Sequence, residues 1–428
     1  MAMEMYFLYS ILFSLGFLLM SPLFLWRREK YAAGFGERLG HYPKFEQDER
    51  KVVWLHCVSV GETNAARPLI DAVIANFPDH RLVVSTTTRT GQAIANDIFK
   101  DKVDAIFYFP FDWKFAVRRA LANFDPSVVI LMETEIWPRF FREAHLSGAK
   151  IAIVNGRLSE KSATHYLRIK RFIRGVLENV DLALMQGDAD AARITSLGIN
   201  ADRAFVTRNL KFDLQLDATE NAFAEEFRRR FGFDGLRPVV VAASTHEPEE
   251  QYVIDALKIA GNRNRLILAP RHPERFEAVA KMLADNGHSY VRRSNRPSEA
   301  DTDADIILLD SIGELRAVYR LADIVFVGGS LIPHGGQSVL EPAIAGKAIV
   351  TGPSTQNFAA VVSEFLSRDA LIQVPPVRLS EAFVDLLEDP EKRRRLGENA
   401  LAVMIANRGA TMKTIGYLSS LLDRPKNQ

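Results

Sequence analysis

From Lys51 onward, short runs of aliphatic and β-branched residues alternate with amphipathic stretches of helical length. The runs at 52–59, 81–87, 127–132, 150–155 and 181–186 read as strands, and the periodic segments between them as helices. Such alternation is the pattern of βαβ units and a parallel sheet. Around 213–236 it breaks: ATENAFAEEFRRRF is a charged, helix-like stretch with no apolar strand after it. A second series of runs then begins at 237–244 and continues at 265–270, 304–310, 322–329 and 347–352. The reading is α/β, with two Rossmann-like domains facing across a cleft and a boundary within 213–236.

Ahead of the first series lies an uncharged run from Met5 to Trp26, followed directly by Arg27, Arg28 and Lys30. Its 22 residues are enough for a helix across a hydrocarbon core of about 30 Å. The basic flank on its C-terminal side places the bulk of the chain in the cytoplasm and runs opposite to the charge order of a cleaved signal peptide. Pro22 leaves a deeply inserted, non-spanning anchor as the alternative. Residues 1–28 are thus expected to be a membrane anchor.

Composition narrows the field. The 428 residues exceed one comfortable core, and 47% hydrophobic with 25% charged residues excludes a disordered chain. A net charge of +1 gives no reason to expect a nucleic-acid partner. The single cysteine, Cys57, excludes an internal disulfide framework, and the scattered histidines show no metal-binding spacing. No cofactor or metal is expected.

In parallel sheets of this kind ligands bind beyond the carboxyl ends of the strands, so the loops there carry the candidate chemistry. Glu62 follows Gly61 and opens a helix, whose N-terminus favours an ionised carboxylate able to accept a proton. Spacing is equally compatible with a glutamate that merely complements the helix dipole. Glu133 and Glu135, two apart in METE, could point the same way. Lys211, between Leu210 and Phe212, suits a phosphate or a developing negative charge, or is a solvated linker lysine. Arg271, His272 and Arg275 end one strand, and the glycine-rich GGSLIPHGG ends another, as anion sites do. GFGERLG (34–40) precedes every strand, which disfavours a dinucleotide fingerprint. The pairs Asp188/Asp190 and Asp301/Asp303 read as surface charge. YLRIKRFIRGVL (166–177) puts its apolar residues on one helical face and reads either as a packed helix with a solvated basic face or, beside the anchor and preferred here, as a basic amphipathic helix for a membrane surface that Trp113, Lys114, Phe115, Arg118 and Arg119 would extend.

Together, HCVSVGET, ILMETEIWP, NGRLS, LKFD, ASTHEPEE, LAPRHPERF, SIGELRAVYRLADIVFVGGS and GGQSVLEP resemble the motifs of the 3-deoxy-D-manno-octulosonic acid (Kdo) transferases, in the family's order and over nearly the whole chain. The resemblance implies a GT-B glycosyltransferase that moves Kdo from CMP-Kdo to the lipid A precursor (lipid IVA) at the inner membrane, by inversion and without a metal. It implies an acceptor-binding domain over 29–215 and a CMP-Kdo-binding domain over 216–428. It assigns the general base to Glu62 and transition-state stabilisation to Glu133 and Lys211. It carries CMP contacts to Pro270, Arg271, Ile312, Gly313, Glu314, Val339, Leu340, Glu341 and Pro342. The family often reads GGHNPLEP where this chain has Gln337, Ser338 and Val339. The alternatives are another GT-B transferase or epimerase using a UDP-sugar, and a membrane-tethered nucleotide-binding scaffold without turnover.

Overall fold

The structure, a computed structural model, describes residues 2–26, 33–214, 218–261 and 264–422. It divides into two compact units, Met1–Asp213 with the last helix of the chain, and Leu214–Asn407.

Seven parallel strands build the sheet of the first unit: β1 (Lys51–Cys57), β2 (His80–Thr86), β3 (Ala105–Tyr108), β4 (Pro126–Met132), β5 (Lys150–Gly156), β6 (Leu182–Met185) and β7 (Ala204–Val206). Their spatial order is β3-β2-β1-β4-β5-β6-β7, so the direction of winding reverses between β1 and β4. Both faces are covered by helices, and β1 accordingly buries every second residue on each side: Val52 and Trp54 enter one core, Val53, Leu55 and Cys57 the other. The second unit repeats the design with β8 (Val239–Thr245), β9 (Arg265–Pro270), β10 (Tyr290–Arg292), β11 (Ile306–Leu308), β12 (Ile324–Val327), β13 (Ala348–Thr351) and β14 (Ile372–Gln373). Here the order is β10-β11-β9-β8-β12-β13-β14, and the reversal falls between β8 and β12.

The ten strands read from apolar runs are all present. The four that the runs did not reveal are β3, β7, β10 and β14, the two edges of each sheet. The division of the chain differs at its far end from the expected 216–428 domain. Helix Ala410–Leu422 returns to the first unit, where Ile415, Leu418 and Leu422 join the core beside Leu69 and Ile70. Asp213 fastens the return, its carboxylate accepting hydrogen bonds from Gly409 N (2.7 Å) and Thr411 N. The boundary positions 28/29 and 215/216 and the flank Arg27, Arg28 and Lys30 lie outside the described residues.

The apolar N-terminal run forms a helix, α1 (Ala2–Trp26), long and apolar enough to cross a membrane. One face is docked on the first unit. Tyr9 Oη donates to Asp112 (2.7 Å), Arg139 donates to Ser10 Oγ (3.0 Å) and to the carbonyl of Tyr6 (2.9 Å), and Trp113 Nε1 donates to Ser14 Oγ (2.9 Å). Phe13 and Phe17 pack edge-on against Trp113. The other face leaves Phe7, Leu8, Ile11, Leu12, Leu15, Leu18 and Leu19 exposed.

The stretch 166–177 is not one membrane-facing helix. It is split at Ile169 into Glu160–Arg168 and Lys170–Leu177. Ile173, Val176 and Leu177 are spent on the core, and Phe172 packs on Tyr6 and Tyr9 of α1. Asp301 is likewise not surface charge: it is buried and paired with Arg230 at 2.8 Å.

Replacing Asp213 by alanine leaves two helix-end amides without their acceptor and is expected to cost about 1 kcal/mol. Faster amide hydrogen exchange in helix Ala410–Leu422, with exchange in β8–β13 unchanged, is the measurement that checks it.

Candidate functional site

The first group of candidate residues sits at the point where the winding of its sheet reverses, where adjacent strand ends leave a crevice. β1 ends at Cys57, and the chain turns through Val58 and Ser59 into helix Val60–Asn76. Glu62, in the first turn, folds back over that turn. Its carboxylate accepts from Val58 N at 2.7 Å and Ser59 Oγ at 3.1 Å, so it closes back on the turn that precedes the helix. The side chain is only 6% exposed. Burial, with the nearby charges of Glu133 and Glu135 in the same direction, outweighs the two hydrogen bonds and pushes its pKa up to about 7. The expectation that Glu62 is fully ionised at neutral pH is therefore corrected: desolvation wins over the helix terminus.

Across the reversal, β4 delivers Glu133. Its backbone is in the left-handed region (φ 57°), held there by a hydrogen bond from its N–H to Val154 O at 2.8 Å. A non-glycine residue in that conformation costs about 1–3 kcal/mol and tends to mark functional sites. The Glu133 carboxylate lies 3.3 Å from Lys211 Nζ, both half-buried. Lys211 is carried by a short turn, Leu210–Asp213, whose Leu210 and Phe212 are buried anchors on either side. Asn155, at the end of β5 and also left-handed (φ 57°), accepts from Leu210 N at 3.0 Å. Asn209 Oδ1 accepts from Lys211 N at 3.0 Å. Glu135 does not join the ion pair; burial, then the charge of Glu133, raises its pKa. Thr134 Oγ1 and Asn155 Nδ2 are buried without a protein hydrogen-bond partner. Asn155 was visible only as part of a loop motif, since its task depends on a strand that is 55 residues from Leu210 in sequence.

The second group lies at the corresponding reversal of the other sheet. Next to last in β8, Ser244 lies in the left-handed region (φ 53°), and the chain then enters helix Glu249–Ile259. Glu249 is fully buried, and its carboxylate accepts from His246 N (3.0 Å), Gly329 N (2.6 Å), Ser330 N (2.9 Å) and Leu331 N (2.9 Å). It thereby shapes the glycine loop after β12, where a Cβ on Gly328 would stand 2.6 Å from Ser244 O. Sequence reading passed over Glu249, although the ASTHEPEE stretch contains it. Arg275 pairs with Glu250 at 2.5 Å, while Arg271 is exposed, its N–H bonded to Thr245 O.

Three histidines that are far apart in sequence converge here. His246 stacks on His334 with ring centroids 4.5 Å apart and meets His272 at 5.3 Å. Burial, then the neighbouring histidines, lowers the His246 pKa to about 4, so it stays neutral near pH 7. Ile312 is 79% exposed beside Gly313 (φ 87°), and Glu314 is engaged by Arg293 at 3.2 Å. Pro270, Val339, Leu340 and Pro342 are buried. Burial raises the Glu341 pKa, opposed by Arg316, the Ser338 hydrogen bond and Arg271. Among the described residues no group of three or more His, Cys, Asp or Glu side chains is arranged to hold a metal ion.

Residues 33–214 match the family model described as 3-deoxy-D-manno-octulosonic-acid transferase (kdotransferase), and 238–403 match glycosyl transferases group 1. The chain is 32% identical to the 3-deoxy-D-manno-octulosonic acid transferase of Haemophilus influenzae, over 92% of this chain and 93% of that one. It is 33% identical to the enzyme of the same name from Bordetella pertussis, over 94% and 96%. Among solved structures it is similar to a UDP-GlcNAc 2-epimerase from Neisseria meningitidis, with a TM-score of 0.57 at 14% identity, covering 86% of this chain and 100% of that one. That likeness is one of fold, the two-domain α/β arrangement called GT-B.

The raised pKa of Glu62 has a consequence for stability. A carboxyl whose folded pKa is above its ordinary 4.5 is destabilising once ionised, so the cost grows as pH rises through about 7. Glu62→Gln should therefore match the wild type in stability near pH 4 and exceed it above pH 7, by up to about 3 kcal/mol. Urea melts of both proteins across that pH range are the check.

Proposed function

Because this chain belongs to the Kdo transferase family, we propose that it moves Kdo from CMP-Kdo onto the lipid A precursor (lipid IVA), inverting the anomeric centre without a metal. The observation that carries the mechanism is the buried Glu62 carboxyl with a pKa of about 7. A base poised near the working pH is half ionised there, yet basic enough to take a proton from a sugar hydroxyl. In the reaction that hydroxyl gives its proton to Glu62 as its oxygen bonds to the anomeric carbon of Kdo. The bond from that carbon to the phosphate oxygen breaks on the opposite face, and CMP leaves with the electron pair. The Glu133–Lys211 pair supplies a fixed negative and a fixed positive charge for the oxocarbenium-like transition state.

CMP is assigned to Pro270, Arg271, Ile312, Gly313, Glu314, Val339, Leu340, Glu341 and Pro342. Exposed Arg271 offers charge to the phosphate, and exposed Ile312 an apolar surface to the base. The buried members support the loop by packing and by their backbone. The enzyme works at the cytoplasmic side of the inner membrane, with the exposed apolar face of α1 in lipid. A long apolar helix with a basic C-terminal flank supports that reading.

The test is transfer from freshly generated CMP-Kdo to tetra-acylated lipid A precursor in detergent, with chelator present. Wild type should form product at a rate that rises with pH and levels off above about pH 7. Glu62→Ala should retain its fold and CMP affinity and lose roughly 10²–10⁴-fold in rate. Equal activity of the two proteins would overturn the base assignment, and inhibition by chelator the metal independence. No product from a folded, CMP-binding wild type would overturn the substrate assignment.

A further inference from the structure

Between α1 and the body of the first unit lies a pocket of about 390 Å³. Phe13, Gly16, Phe17 and Met20 form its wall on α1, and Phe109, Pro110 and Phe111 are among those facing them. Its size falls in the range of small-ligand sites, about 300–1,000 Å³, and most of its wall is apolar, with Arg38, Thr87 and Asp112 as its polar members. Two features say what it holds. At one side it is bounded by the helix whose opposite face is an unbroken apolar stripe from Phe7 to Leu19. At the other it reaches Thr87, whose N–H, with that of Thr88, is bonded to Val58 O, while Val58 N donates to Glu62 at 2.7 Å. The pocket therefore connects a lipid-facing helix to the turn that carries the carboxyl base.

We propose that this pocket binds one acyl chain of the acylated acceptor, and so positions the acceptor's sugar hydroxyl at Glu62. The inference rests on the acceptor class read above and adds its binding site. Hydrocarbon from the bilayer passes into the pocket alongside α1 without crossing water. Trp137 also lines the pocket and adds the flat apolar face of its indole to the wall. The clasp of Tyr9, Ser10 and Arg139 with Asp112 keeps α1 at a fixed distance and the pocket open.

Gly16 offers a clean test, because a Cβ added there meets nothing within 4 Å, so a larger side chain fills the pocket and leaves the clasp intact. In the full chain in detergent, Gly16→Leu should raise KM for the tetra-acylated acceptor by about ten-fold or more, the loss of burial of roughly two methylenes, with the KM for CMP-Kdo unchanged. Gly16→Ala should behave as wild type. A second readout does not need turnover: an acceptor with a photoreactive group at the end of one acyl chain should label peptides containing Phe13, Met20 or Phe109 in wild type, and not in Gly16→Leu. An unchanged KM in Gly16→Leu would overturn the proposal, as would labelling by a photoreactive phospholipid that excess acceptor does not displace. If wild type makes product but ignores the Gly16 substitution, this inference alone fails; if wild type makes no product from any acylated acceptor, the functional reading fails first.

Discussion

A carboxyl that is to act as a base near neutral pH, the role proposed for Glu62, has to be kept from water without being neutralised by a cation. Glu62 leaves β1 on the first residues of a helix, where exposure would hold a carboxyl low and strongly ionised. Burial and two neighbouring carboxylates push the other way, and hydrogen bonds from Val58 and Ser59 keep the ionised form attainable. Lys211 belongs to the same balance. It pairs at 3.3 Å with Glu133, one of the two carboxylates whose charge raises the Glu62 pKa.

The parallel sheets supply the positions. In each unit the reversal of winding separates two neighbouring strand ends, β1 from β4 and β8 from β12, and Glu62, Glu133 and the glycine loop follow these strands. The backbone is forced at these points: Glu133, Asn155 and Ser244 all take left-handed conformations without being glycine. The sheet and its loops bear the cost through specific bonds, Glu133 to Val154 and Asn155 to Leu210. In the second unit Glu249 has the corresponding task, collecting four backbone amides so that the glycine loop has one shape.

Interior strands were legible because both faces are buried and the residues read as continuous apolar runs. The edge strands β3, β7, β10 and β14 are two to four residues long and mostly half-buried, so they leave no such run. Segment 166–177 misled for a related reason. An apolar helix face shows that something covers it, and here the cover is the core and α1 rather than lipid. Motif order singled out Glu62, Glu133 and Lys211 as candidates, while contacts over long separations stayed hidden. Asn155 with Leu210, His246 with His334 and Asp213 with the last helix depend on how strands are ordered in space, which local pattern does not encode.

The central claim is the state of one carboxyl. Isotope-edited infrared difference spectroscopy can follow the carboxyl stretch through a pH titration, with Glu62→Gln used to assign the Glu62 band. The account predicts a titration centred near pH 7 in wild type, moving higher in Lys211→Ala, where the charge of Glu133 is no longer offset. A Glu62 band that titrates near the ordinary 4.5, indifferent to Lys211, would contradict it.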